Sequence, residues 1–125
     1  MATLEEAVEA AAQAAHEANR AYCEALGDHS QLLWSAASDE QRESAREGVQ
    51  NVLAGASPRA SHQAWWERKH REGWTYGVLK DPILRTHPCC VPFDALPQEL
   101  RMKDAIFVRV VGALLTALGH PPVFR

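Results

Sequence analysis

Between Gly73 and Asp94 the chain reads GWTYGVLKDPILRTHPCCVPFD, and this is its only stretch without a helical period. Long segments on both sides repeat apolar residues at three- and four-residue steps. The fold must therefore hold a short, proline-bordered, aromatic-rich segment between helices. Trp74, Thr75 and Tyr76 are strand formers, and Gly77 permits a bend. Lys80-Asp81-Pro82 is turn chemistry. Pro88 forces His87 to be extended, and Cys89 to Phe93 is expected to continue so with apolar alternation. The expectation is two short antiparallel strands or an irregular hairpin. Such a ribbon is not stable alone, so it must lie on the helices. A compact non-helical connection is also where a small domain usually carries specificity.

Four helices are expected around it. Thr3 to Leu26 opens with a T-x-x-E capping box, Thr3 and Glu6, and ends at Gly27. Its apolar face is read as Leu4, Val8, Ala11, Ala15, Ala18, Tyr22 and Leu26. His16, Glu17, Asn19 and Arg20 are assigned to the outer or flanking side. The first fourteen residues are expected to fray as a helical extension, since little but alanine holds them. Asp28 to Ala37 is a linker whose Trp34 should plug onto the core. Ser38 and Gln41 again form a capping box, for a helix over Asp39 to Ala54 with Ala45, Val49, Val52 and Leu53 inward. Ser57-Pro58 starts a third helix, to about Glu72. On it Ala64, Trp65, Arg68 and Glu72 share one face, and His62, Trp66, Lys69 and Gly73 a neighbouring one. Leu96-Pro97 opens the last helix, to Leu118, striped by Leu100, Phe107, Val111, Leu114 and Leu118 and widened by Ile106, Val110 and Leu115. Val123 and Phe124 beyond it need cover from this chain or a neighbour. The fold class is mainly α, about four helices with a small two-stranded β element before the last, in a single domain over 1–125.

At 125 residues the chain suffices for one modest core. A net charge of -3 gives no long-range attraction to nucleic acid or anionic membrane. No apolar run is long enough to span a bilayer. The N-terminus carries Glu5, Glu6 and Glu9, unlike the basic start of a secretory signal, so a cytoplasmic location is expected. Cys23, Cys89 and Cys90 are an odd count with one vicinal pair, a poor disulfide framework that fits a reducing compartment.

Catalysis finds little footing. Cys89 and Cys90 lie in an apolar stretch without the helix dipole or base that would activate a thiol, and read as structural. His87, Cys89 and Cys90 are too close together for an ordinary zinc set, so no metal is expected. No phosphate loop, serine elbow or carboxylate pair stands out, and no cofactor is implied. Binding is better supported. Trp65, Trp74 and Tyr76 offer stacking faces, and Lys69, Lys80 and Lys103 offer charge. Arg85 offers a planar fork to phosphate or carboxylate. The competing reading makes these aromatics anchors of the ribbon, and makes His62 and His87 core histidines that hold loop carbonyls.

A resemblance sharpens the choice. The pattern H-x-x-W-x-x-x-K, then GWTYG, K-D, HPC-x-V-P-F-x-x-LP, a Lys-Asp pair and a final helix ending ALG resembles the RyR domain. This is the repeat unit of ryanodine receptors, found also as free-standing small proteins in bacteria and phages. The matching positions are His62, Trp65, Lys69, Gly73, Trp74, Tyr76, Gly77, Asp81, His87, Pro88, Pro92, Leu96 and Pro97. Upstream, HEANRAYCEALGD, QLLW and ESAREGV resemble the N-terminal portion of free-standing members. The resemblance implies a mostly helical fold and no established enzyme. It raises Lys103 and Asp104 as site residues. Receptors carry these repeats in pairs; this chain has one copy, so a homodimer is expected. In bacterial and phage settings the resemblance implies sensing of a nucleotide-derived signal.

The expected function is a non-enzymatic module that recognises or sequesters such a signal, ADP-ribose-like or a cyclic nucleotide, with a role as a sponge in phage–host conflict as the expected setting. Its ligand-binding set is His62, Trp65, Lys69, Trp74, Tyr76, Lys80, Arg85, His87, Lys103 and Asp104. The alternative is a protein-interaction or assembly domain without a small-molecule ligand. A third, weaker reading is a nucleotide-processing enzyme.

Overall fold

Alanines let two long helices come close at the centre of this protein. A computed structural model describes residues 2–123. Helix α1 spans Leu4–Ala25 and α4 spans Gln98–Ala117. Ala7, Ala11, Ala12 and Ala15 are fully buried, joined in the core by Val8 on the same helix. From α4 come Val111 and Leu115, also fully buried. Helix α2, Asp39–Leu53, adds Val49 and Val52, and Trp34 closes the cluster from a 3-10 turn at Trp34–Ala36. Helix α3, Pro58–Arg71, packs on α4 and α2. Each element begins where its chemistry requires. Thr3 and Glu6 form the reciprocal capping box, Ser57 caps α3 with Pro58 behind it, and Ser38 accepts from the Gln41 amide. The Gln41 side chain turns instead to Gln31, at 3.3 Å. Gly27, Gly55, Gly73 and Gly119 follow the four helices with φ between 88° and 102°, the left-handed conformation that ends a helix.

The expected mainly helical class with a small β element before the last helix is what the chain adopts. The details differ in four places. First, Leu4 and Leu26 are exposed, while Ala7, Ala12, His16 and Cys23 are buried. The buried stripe is turned toward Ala7, Ala11 and Ala15 because only small side chains fit the close α1–α4 approach. The turns expected to fray are packed for the same reason. Secondly, β1 (Thr75–Tyr76) and β2 (Thr86–His87) pair parallel, with Thr75 opposite Thr86 and Tyr76 opposite His87. The chain reverses twice between them. An antiparallel bridge joins Asp81 to Thr86, and the Asp81 carboxylate accepts from the Ile83 and Leu84 amides at 2.9 and 3.1 Å. Thirdly, Cys89 to Phe93 does not continue the strand. Cys90 donates to the His87 carbonyl at 3.2 Å and Val91 to the Cys89 carbonyl at 2.8 Å, and a 3-10 turn follows at Phe93–Ala95. Fourthly, Leu115, read as widening the α4 stripe, lies at its centre.

The tail folds back, with the Val123 amide donating to the Leu53 carbonyl at 3.0 Å, although the Val123 side chain stays exposed. Phe124, expected to need cover, lies outside the described residues. Among the described residues no helix is long and apolar enough to cross a membrane.

Two truncations separate this core from the surface. Leu115→Ala is expected to lower the unfolding free energy by about 2–5 kcal/mol, the usual cost of a buried leucine cavity. Ile83→Ala, at a side chain 92% exposed, should stay within about 0.5 kcal/mol of wild type. Urea denaturation measures both; equal effects would contradict the packing described.

Candidate functional site

A cleft of about 530 Å³ opens where the alanine stripe of α1 gives way to polar residues. Helix α3 contributes Trp65, Arg68 and Lys69, and α4 contributes Lys103, Asp104 and Phe107. The connection between them lays Trp74, Lys80, Arg85 and His87 along the same space. Nine of the ten residues singled out from the sequence therefore line one cavity: His62, Trp65, Lys69, Trp74, Lys80, Arg85, His87, Lys103 and Asp104. Tyr76 does not. It is 56% exposed on the outer side of β1.

The rings pack on one another, one pair stacked and two edge to face. Trp65 stacks on His62, centroids 5.7 Å apart, and meets His87 edge-on at 5.1 Å. Trp74 also meets His87 edge-on, at 6.2 Å. Lys69 places its ammonium 5.4 Å from the Trp74 ring centroid. Helical spacing explains the grouping on α3: His62, Trp65 and Lys69 are three and then four residues apart. Trp66, read as sharing a face with His62 and Lys69, instead looks out with Gln63, Glu67 and His70 onto a shallow surface.

Both histidines are buried and their hydrogen bonds set their tautomers. His62 Nε2 donates to the Val91 carbonyl at 2.7 Å, so it does hold a loop carbonyl. Its bare Nδ1 then faces Asp104 Oδ2 at 3.7 Å. His87 holds an amide rather than a carbonyl: Nδ1 accepts from Cys89 N–H at 3.0 Å. Burial, with help from the charges of Lys103, Lys80 and Lys69, pushes His87 down to about 3. Burial also lowers His62, and Lys103 adds to this against the Val91 hydrogen bond. Asp104 is pushed up by burial to about 7, against the pull of Lys103, so near neutral pH it is close to half protonated. A protonated carboxyl suits its place opposite a bare imidazole nitrogen. Cys89 and Cys90 are buried free thiols, both raised by burial, which keeps them inert.

The charges of the cleft divide into committed and uncommitted ones. Arg68 is bound to Glu47 and, at 3.0 Å, to Glu72. Lys69 reaches Glu72 at 3.4 Å. Arg85 donates to the Glu72 carbonyl and stands 3.7 Å from Glu40. Among the described residues, Lys80 and Lys103 have no ion-pair partner. Burial holds Lys80 below its ordinary value, and Lys103 adds to this while Asp28 opposes it. Trp74 supplies a further uncommitted donor, its buried Nε1 having no hydrogen-bond partner. The arrangement favours a ligand with negative charge and a flat ring.

Reading the sequence alone missed the side of the cleft built by α1 and α2. His16 is buried, within 2.6 Å of the Leu32 carbonyl and edge-on to Trp34 at 5.6 Å, where an outer position was expected. Asn19, likewise assigned outward, lines the cleft, as do Ser44 and Asn51. One signal was present. Ala11, Ala15 and Cys23 are buried at steps of four and eight, and Asn19 completes that row.

The outer side of Gly77 to Arg85 is quite different. Val78, Leu79, Ile83 and Leu84 are each at least 71% exposed. Arg85 closes the stretch with φ 54°, a left-handed conformation that a side-chain-bearing residue adopts at some cost.

The shifts of His87 and Asp104 have opposite pH signatures. His87 is depressed from an unfolded value near 6.5, so its contribution is present above about pH 6.5 and is lost as pH falls toward 3. Asp104 is raised from an unfolded value near 3.9, so its contribution is present below about pH 3.9 and is lost as pH rises through 7. Asp104→Asn removes the second effect. Between about pH 4 and 7 its stability, relative to wild type, is expected to rise by about 1.4 kcal/mol per pH unit. Urea denaturation across that range tests this; parallel curves for the two proteins would show that Asp104 titrates normally.

Compared with known protein families, the chain matches the family model described as the RyR domain over residues 47–120, more than half of its length. The match takes in the nine cleft residues singled out from the sequence and leaves α1, with His16 and Asn19, outside.

Proposed function

The chain belongs to the RyR domain family, and we propose that its cleft is a non-enzymatic binding site for a nucleotide-derived anion, ADP-ribose-like or a cyclic nucleotide. One observation carries the reading: the uncommitted ammonium groups of Lys80 and Lys103 line the same cavity as the rings of Trp65 and Trp74. Two half-buried cations without ion-pair partners among the described residues repel each other, and an anionic group relieves that repulsion on binding. The His87 ring, neutral at physiological pH, packs edge-on against both Trp65 and Trp74 and adds no charge of its own beside them. A phosphate on the lysines with a flat ring against an indole uses both kinds of group. The volume lies within the range of small-molecule sites. Sensing or sequestering such a signal in the cytoplasm, in phage–host conflict, is the setting we propose; the family likeness alone supports it.

A second reading is favoured by a separate observation. Val78, Leu79, Ile83 and Leu84 form an exposed apolar crest on the outer side of the connection. It would suit a protein-interaction or assembly role, or a second copy of this chain in a homodimer.

Titration calorimetry with ADP, ADP-ribose and cyclic AMP distinguishes the readings. At least one should bind, and Lys80→Ala or Lys103→Ala should weaken it by about tenfold or more, the usual range for a lost charge-assisted hydrogen bond. Lys69→Ala should cost less, because its ammonium is already committed to Glu72. Folded protein giving no heat with any of the three would remove the nucleotide reading and leave the crest as the functional surface.

A further inference from the structure

The residues that would hold an anion and those that could select among anions come from different parts of the chain. Lys80 and Lys103 lie within residues 47–120, the segment matched by the family. The cleft is much larger than a bare phosphate, so a ligand that fits it needs an organic body beyond its charge. That body meets a lining from α1, the connector after it, and α2.

Most polar groups of this lining are already engaged. Gln31 and Gln41 bond each other at 3.3 Å, and Ser38 Oγ accepts from the Gln41 amide at 3.0 Å. Glu40 faces Arg85, and Glu47 binds Arg68. Three side chains keep their capacity. Asn19 has only the weak thiol of Cys23, at 3.9 Å. Ser44 and Asn51 make no side-chain hydrogen bond among the described residues. All three are uncharged, and each presents both donor and acceptor. That chemistry matches base edges and sugar hydroxyls, which also donate and accept without charge.

We infer that Asn19, Ser44 and Asn51 are the selectivity wall of the cleft, reading the uncharged hydrogen-bonding body of a nucleotide whose phosphates lie on Lys80 and Lys103. This rests on the anion-binding reading above and adds which residues distinguish one nucleotide from another. Two of the three, Asn19 and Ser44, lie outside the family-matched segment. Selectivity thus belongs to α1 and α2, and anion capture to the connection after α3 and to α4.

The test is calorimetry on the full chain with ADP, UDP and inorganic pyrophosphate. Wild type is expected to separate ADP from UDP and to bind pyrophosphate more weakly than the better nucleotide. Asn19→Ala combined with Asn51→Ala should change the ADP-to-UDP ratio of Kd by about fivefold or more, in line with the loss of one or two hydrogen bonds. Its Kd for pyrophosphate should stay within about twofold. Ser44→Ala, a small truncation in a helix, should shift the ratio in the same direction by less, and serves if the double variant fails to fold. Lys103→Ala should instead weaken all three probes together. An unchanged ratio in both wall variants overturns the inference while the anion reading stands. So does a wild type that takes pyrophosphate as tightly as either nucleotide. No binding of any probe overturns the inference, and the anion reading falls with it when ADP-ribose and cyclic AMP also give no heat.

Discussion

The close contact of α1 with α4 decides where everything else goes. Ala7, Ala11 and Ala15 have no bulk to hold the helices apart, so Val111 and Leu115 press directly against them. The core that results is small in its parts: its largest fully buried side chains are Leu115, Val49 and Val111. Helices α2 and α3 then cover the flanks. Beyond Ala15 the α1 surface becomes polar at His16 and Asn19, and α3 carries tryptophan where a tightly packed core would use aliphatic residues. The elements cannot close there as they do at the alanine end, and the cleft is the consequence.

Within the cleft, burial works differently on each kind of titratable group. It makes His62 and His87 neutral and keeps Asp104 partly protonated. Lys80 and Lys103 are left without an ion-pair partner among the described residues, while Glu47 and Glu72 are bound by Arg68. A set of cations and neutral rings, with Glu47 and Glu72 already paired and Asp104 partly protonated, is suited to an anion. The thiols are raised by burial and His87 is too far depressed to take up a proton near neutral pH, which leaves Asp104 as the group shifted toward exchanging one there.

Gly77 to Arg85 has two unlike faces. Lys80 and Arg85 point their chemistry at the cleft, while Val78, Leu79, Ile83 and Leu84 face outward. Few contacts hold it beyond the Asp81 turn, the short pairing at Thr86 and the Thr86 hydroxyl, which donates to the Leu79 carbonyl at 3.0 Å. The same short segment thus borders both the cleft and the solvent.

The order and type of the elements were legible from the sequence because they depend on local chemistry. Caps at Thr3, Ser38 and Ser57, glycines after each helix and the three-to-four spacing of apolar residues act over a few residues at a time. The blocks GWTYG and HPCCVPF also carried the family likeness, and with it most of the cationic and aromatic residues that meet in the cleft. Tertiary packing decided the rest. The parallel pairing of β1 and β2 depends on a double reversal stabilised by the Asp81 side chain, which strand propensity does not encode. The rotation of α1, which buries His16 and turns Asn19 to the cleft, depends on what α4 brings against it. Helical periodicity identifies which residues share a face; only the partner that packs against the helix determines which face is buried.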